Sequence, residues 1–148
     1  MTDAGEPVEL EPDEAILATA FASFRGAAAT STRSTFGWGP STKRRRAHRE
    51  WVGAVTAAGF PEVPADMAIA ATDRRLLFGK PTLWGRHPAQ YTAELRYDRI
   101  AEVATARHGL VVGLAFALKN GQIIEVEAMR GRKLRALGEV VRHALANR

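Results

Sequence analysis

Residues 110–129, LVVGLAFALKNGQIIEVEAM, decide how the rest of this chain is arranged. Large apolar residues alternate with smaller ones from Leu110 to Leu118, and this period of two indicates a strand with one packed face. Asn120-Gly121 follows, a dipeptide that suits the positive φ angles of a two-residue hairpin turn. Beyond it, apolar residues alternate with glutamates in a return strand, at Ile124, Val126 and Ala128. The stretch therefore predicts a β-hairpin with one buried face.

The pattern changes from strand to helix at Gly131. Apolar residues now recur at helical spacing, at Leu134, Leu137, Val140, Val141, Ala144 and Leu145. A stripe of this kind indicates an amphipathic helix over 131–146. Because the stripe directly follows the hairpin, we expect the helix to bury it on the sheet.

The residues before this stretch add five predicted strands and one predicted helix. Period-two alternation and turn signals place the strands at 15–25, 67–71, 76–78, 91–97 and 100–107, and the helix at 41–58. Sequential antiparallel strands closed by an amphipathic helix are typical of a curled sheet or a small barrel. The sequence therefore predicts an α+β fold of about seven strands. We expect a single domain over residues 13–148, with an inserted loop and helix at 26–59.

The charge of the chain is unevenly distributed. Its first fourteen residues hold six acidic side chains and no basic one, at Asp3, Glu6, Glu9, Glu11, Asp13 and Glu14. Because the whole chain carries +5 and these six acids carry −6, residues 15–148 carry +11. A basic surface of this kind attracts phosphates and acidic partners. Residues 1–12, polar and interrupted by Pro7 and Pro12, are predicted to be a loose acidic tail.

No pattern in the sequence points to catalysis, a metal or a cofactor. Without cysteine there is no disulfide, thiolate metal site or Cys nucleophile. The four histidines lack metal-ligand spacing, and no nucleophile elbow or phosphate-binding glycine loop is present. We therefore expect a protein that is not an enzyme. No apolar run is long enough to span a membrane, and no signal peptide is evident, so we expect it in the cytoplasm.

The predicted helix 41–58 begins with cations, at Lys43, Arg44, Arg45, Arg46 and Arg49. We call these five residues the α1 basic cluster. Cations are unfavourable at a helix N-terminus, where the dipole favours negative charge by about 0.3–1 kcal/mol per group. An anion bound there would meet free backbone N–H groups as well as the side chains.

Three interpretations of the α1 basic cluster remain open from the sequence. It is a solvated surface, a site for anionic lipid, where each base is worth roughly 1 kcal/mol, or a site for an acidic protein segment or nucleic acid. The tryptophans carry similar alternatives. Trp38 and Trp84, in glycine-flanked loops near arginines, either insert at a lipid interface or fold over the open ends of the barrel. Trp51 is either a membrane anchor or a core contact.

Two further segments show a resemblance to a known family. Residues 67–80, MAIAATDRRLLFGK, consist of an apolar strand, Thr-Asp-Arg-Arg and an apolar return strand, and residues 95–103 read LRYDRIAEV. Together with helix 131–146, this order resembles the bacterial PH-like domains of the pleckstrin-homology superfold. The resemblance implies a bent sheet of seven strands with a C-terminal helix, and a binding or scaffolding module. PH domains that bind phosphoinositides use basic residues at the end of the first strand, so the resemblance also implies that Arg25 joins the α1 basic cluster as a candidate anion-binding or partner-binding residue.

These observations favour a non-enzymatic module that docks a protein partner through a sheet edge or the basic helix. The alternative is peripheral attachment to anionic lipids, at the inner face of the membrane, through the α1 basic cluster. Nucleic-acid binding is the third choice, because Tyr91 and Tyr97 share a face with Leu95 and so are expected in the core rather than on an exposed stacking surface.

Overall fold

A computed structural model describes residues 7–24, 42–57, 66–81 and 90–148. In those residues the chain forms seven strands and two α-helices. The strands are β1 Ile16–Phe24, β2 Asp66–Thr72, β3 Arg75–Lys80, β4 Gln90–Arg96, β5 Ile100–His108, β6 Val111–Leu118 and β7 Ile123–Met129. The helices are α1 Thr42–Ala57 and α2 Arg132–Ala146, and a short 3-10 helix covers Tyr97–Arg99. Among these residues no helix is both long and apolar enough to cross a membrane.

All seven strands belong to one antiparallel sheet in the order β4-β3-β2-β1-β7-β6-β5. In the described part of the chain the order does not close on itself, so the sheet is open and has β4 and β5 at its edges. The predicted α+β class, the seven strands and the C-terminal helix are confirmed. Of the two shapes that the sequence allowed, the structure has the sheet and not the barrel.

The hairpin of β6 and β7 confirms the predicted alternation but not the predicted turn. Val112, Leu114, Phe116 and Leu118 are buried, whereas the residues between them are half-buried. Three residues, not two, separate Leu118 from Gln122, whose carbonyl accepts the Leu118 N–H at 2.8 Å. Of these three, only Gly121 has a positive φ, at +94°. The side chain of Asn120 instead accepts the N–H of Gln122 at 2.9 Å, so the loop is of the longer type that ends in a left-handed glycine.

The core lies between α2 and one face of the sheet. Leu134, Leu137 and Val141 of α2 are fully buried, and the helix contacts β1, β5 and β6. The approach is close at Gly138, where an added Cβ would lie 2.7 Å from the Leu114 Cδ1 atom. A glycine at this point lets the helix lie directly on β6. Because β5 is the next strand in the sheet and α2 also contacts it, the helix lies beside the β5 edge.

The helix α1, Thr42–Ala57, lies within the range 41–58 for which the sequence predicts a helix, and it contacts β7 and β1. Trp51 carries the contact into the core, since only 4% of its surface is exposed. Its indole N–H has no hydrogen-bond partner among the described residues, and there the ring contributes apolar area to the core.

Candidate functional site

The structure describes only part of the site predicted from the sequence. Arg25, Trp38 and Trp84 lie outside the described residues, as do the side chains of Lys43, Arg44 and Arg45. Arg46 and Arg49 are exposed on α1. The third of the candidate interface aromatics, Trp51, is in the core, which matches the core contact that the sequence also allowed.

The Thr-Asp-Arg-Arg segment, residues 72–75, binds the N-terminal residues of the chain. Asp73 accepts the N–H of Ala15 at 3.1 Å through its side chain, and its own N–H donates to the Ala15 carbonyl at 3.1 Å. Arg74 forms ion pairs with Glu11 and Asp13. Residues 7–14, most of which fall in the segment predicted as a loose tail, therefore make specific contacts with the turn between β2 and β3.

Arg75 and Glu14 form the buried centre of these contacts. Glu14 Oε2 accepts from Arg75 Nε at 2.9 Å and from Thr72 Oγ1 at 2.6 Å, and Glu14 Oε1 accepts from Arg75 Nη2 at 2.8 Å. The guanidinium also pairs with Glu94 and donates to the Glu9 carbonyl at 2.8 Å. These bonds to Arg75 hold the pKa of Glu14 below its usual value, and the bonds to Glu14 raise that of Arg75. Because both charges are satisfied, this cluster fixes structure rather than offering a reactive group.

A second group of arginines has no such partners. Arg107, Arg130, Arg132 and Arg135 surround a cavity of about 250 Å³ that Leu110 and Val112 also line. We call these four residues the α2 arginine cluster. They come from the end of β5, the β7–α2 junction and the first turns of α2. None of them pairs with a carboxylate in the part of the chain that the structure describes. The arrangement is suited to binding an anion.

The strand β5 presents an open edge beside this cluster. In the described residues it pairs with β6 only, and most of its nine residues are exposed. The β5–β6 hairpin has a two-residue turn, with Gly109 at φ +61°, and closes on the pair His108 and Val111. The closing pair of such a hairpin exchanges hydrogen bonds and the pairs alternate from there. The backbone groups of Val103, Thr105 and Arg107 therefore point to the open edge.

A larger cavity, of about 560 Å³, lies at the other end of α2 beside Tyr97, His143 and Arg148. The Tyr97 hydroxyl donates to the Thr72 carbonyl at 2.6 Å, and the Arg148 guanidinium lies 5.8 Å from the ring centroid. Burial raises the pKa of Tyr97 to about 12, so this hydroxyl remains protonated at neutral pH. His143 Nε2 lies 2.9 Å from the amide nitrogen of Asn147. These polar groups already have partners, and none is placed as an activated nucleophile.

Comparison with known proteins gives no family for this chain. No protein-family model matches it, and no curated protein matches it. Within the described ranges, no group of three or more acidic or histidine side chains is arranged to hold a metal ion. Function is therefore inferred from the geometry and chemistry of the sites themselves.

Sequence reasoning missed the α2 arginine cluster, although part of it was visible in the sequence. Arg132, Lys133 and Arg135 place cations in the first turns of α2, and no acid accompanies them in the first turn. The same criterion had selected the α1 basic cluster. Arg107 could not be added from the sequence, because it lies 23 positions before Arg130 and only the pairing of β5, β6 and β7 brings the two together.

Proposed function

We propose that this protein is a non-enzymatic docking module of the PH-like type, which binds an extended segment of a protein partner at the open edge of β5. The PH-like assignment is supported by the order of seven strands and a C-terminal helix, and by the two segments 67–80 and 95–103. The single observation that carries the docking proposal is the side of β5, next to α2, that has no strand partner among the described residues.

The two edges of the sheet differ in a way that favours β5. At the β4 edge the N-terminal segment is already in place, since the Val8 N–H donates to the Tyr91 carbonyl at 2.7 Å. The β5 edge contains no proline between Val103 and His108. It also has no bulge there, since the register shift in its pairing with β6 lies earlier, between Ile100 and Glu102. Proteins normally protect a regular edge of this kind. An edge left regular and open is suited to receive an added strand.

The helix α2 supplies a wall along this edge. Its Arg142 Nη2 lies 3.4 Å from the Thr105 Oγ1 atom, and Arg142 also pairs with Glu139 on the same helix. Side chains of an added strand would therefore meet both the polar surface of α2 and the face of β5. Backbone hydrogen bonds supply affinity in this mode of binding, and contacts of alternate side chains supply specificity.

Peptide selection tests the docking site directly. Random peptides displayed on phage are selected against the full chain, and the recovered peptides are measured against Thr105→Pro and Thr105→Val. Both variants lose the hydroxyl, but only proline removes the N–H that faces the open edge. We expect recovered peptides to perturb the amide resonances of β5 and to bind Thr105→Val normally, and Thr105→Pro about tenfold more weakly or not at all.

Near-UV circular dichroism and amide spectra establish that Thr105→Pro is folded. Peptides that bind both variants equally, or that perturb resonances away from β5, would show that the edge is not the docking site. Failure to recover any peptide above background would also count against it.

A further inference from the structure

We propose that the segment docked at β5 is acidic at one end, and that its carboxylates are bound by the α2 arginine cluster. This inference rests on the proposed function and adds the chemical class of the partner. The site would take aspartate or glutamate side chains of a protein segment, which continues from the strand position beside β5 into the cavity.

The first support is the unbalanced charge of the cavity. Four guanidinium groups line it together with apolar residues, and none of the described carboxylates does. Arg107 Nε donates to the Gly109 carbonyl at 3.2 Å. By contrast, Arg74, Arg75 and Arg142 all pair with carboxylates. Those three arginines are thus neutralised within the protein, whereas the four that converge on this cavity have no carboxylate partner among the described residues and are suited to an external anion.

The second support is that the local backbone does not favour cations at these positions. Gly131 at the N-cap provides no side-chain bond to the helix, and the first turn of α2 has no acid. Each cation there is unfavourable, because the helix dipole favours negative charge at the N-terminus. Arg130 has a φ of +51°, a left-handed conformation that is sterically unfavourable for a non-glycine residue. Glycine or asparagine would serve the backbone better, so we infer that the positive charge serves binding.

The third support is the position of Arg107, which belongs to both features. It is the last residue but one of β5, and it lines the cavity. Its backbone groups point to the open edge, as argued above. A strand added along β5 therefore ends at the cavity, and its terminal carboxylates reach the guanidinium groups without a change of direction. Bidentate binding of a carboxylate by a guanidinium would fix the register of the added strand.

An acidic protein segment fits this site better than a lipid surface does. Leu110 is the one large apolar side chain of the cavity lining that is exposed, at 56%. A single leucine offers too little apolar area to attach the protein to a membrane. The continuity with the β5 edge, in contrast, has no use in binding a lipid headgroup but positions an extended peptide.

Matched peptides and matched charge variants test the proposal. The probe is a labelled synthetic peptide with a run of glutamates followed by alternating valine and threonine. The control peptide has the same sequence with glutamine in place of every glutamate. Binding is measured by fluorescence anisotropy at low and near-physiological salt. The test variant combines R130Q, R132Q and R135Q. The control variant combines K80Q, R96Q and K119Q, which removes the same charge from exposed positions outside both basic clusters.

We expect the test variant to bind the glutamate peptide about tenfold more weakly at low salt, and the control variant to lose little. The glutamine peptide should bind the parent protein weakly and be insensitive to the test variant, because only a charge pair gives coupling in such a cycle. Equal binding of the two peptides, or equal losses in the two variants, would overturn the inference.

Two further outcomes separate this inference from the proposed function. If the glutamine peptide binds as well as the glutamate peptide, and Thr105→Pro abolishes both, edge docking stands and the acidic end is wrong. If neither peptide binds but vesicles of anionic lipid do, and the test variant alone loses them, the arginines serve a membrane and the inference is overturned. Loss of glutamate-peptide binding in both the test variant and Thr105→Pro supports one site that is formed by the β5 edge and the α2 arginine cluster together.

Discussion

At the scale of single residues, Thr72 shows how one side chain organises a turn and a buried ion pair together. Its hydroxyl oxygen accepts the N–H groups of Arg74 and Arg75, each at 3.0 Å, while the hydroxyl donates to Glu14. A threonine that bonds to the backbone two and three residues later closes a turn. The position of Thr72 thus places Arg75 opposite Glu14, which the spacing of the motif alone does not reveal.

We expect Glu14→Gln to destabilise the protein by about 2–3 kcal/mol at pH 7, because a buried guanidinium loses its buried carboxylate partner. The folded state lowers the pKa of Glu14 below its ordinary value of 4.5, chiefly through Arg75. Its contribution to stability is therefore present above that value and is lost as pH falls through the lower folded pKa. Urea unfolding from pH 7 to pH 2 should show a flatter acid dependence in the variant. Parallel curves for the two proteins would contradict this assignment.

At the scale of elements, β3 and β4 meet at an irregularity that hydrophobic alternation could not predict. The register shifts between Phe78 and Gly79, and Gly79 lies opposite Tyr91. A Cβ on Gly79 would lie 1.9 Å from the Gln90 carbonyl oxygen, so the two backbones approach where no side chain fits. The sequence indicated strands on both sides of this point, but not the close approach between them.

The effect of this approach is tested with two glycine substitutions. We expect Gly79→Ala to lower the free energy of unfolding by about 2–3 kcal/mol, because backbone atoms must move. Gly53→Ala, in α1 with nothing within 4 Å of the added Cβ, should instead stabilise the protein by about 0.5–1 kcal/mol through helix propensity. Thermal unfolding should therefore shift in opposite directions. A shift of the same sign and size in both variants would show that the contact at Gly79 does not matter.

At the scale of the whole molecule, charge is divided between the acidic N-terminal residues and a strongly basic remainder. The described part of the acidic segment neutralises Arg74 and Arg75, whereas the α2 arginine cluster has no carboxylate among the described residues. Two groups of arginines that look alike in the sequence therefore have different environments. One is internal to the structure, and the other is proposed to bind a partner.

Removal of residues 1–14 should destabilise the whole sheet, because Arg75 then loses both Glu14 and the Glu9 carbonyl. We expect a loss of about 3–5 kcal/mol, part of which added salt should restore, since the remaining chain carries +11 and repels itself less when screened. The matched control, Glu11→Gln with Asp13→Asn, removes only exposed pairs to Arg74 and should cost less than about 1 kcal/mol. A truncated protein that melts at the same temperature as the parent would contradict this role of the N-terminal residues.

The sequence by itself determined the elements of this protein. Alternation in residues 110–129 and the stripe of helix 131–146 predicted strands, helix and buried faces, because period and side-chain direction are local properties of the backbone. At Asn120-Gly121 it predicted a two-residue turn, which is wrong. The loop has three residues, and the Asn120 side chain accepts the Gln122 N–H within it.

Only the tertiary structure decided which elements are neighbours. Periodicity says which face of a strand is buried but not what lies beside it, so the open edge of β5 and the convergence of Arg107 with Arg130 could not be predicted. Of the predicted site, Arg46, Arg49 and Trp51 are the members whose side chains the structure describes. The site proposed here comes instead from residues far apart in sequence, which meet because the antiparallel pairing of β5, β6 and β7 carries the chain back to the same end of the sheet.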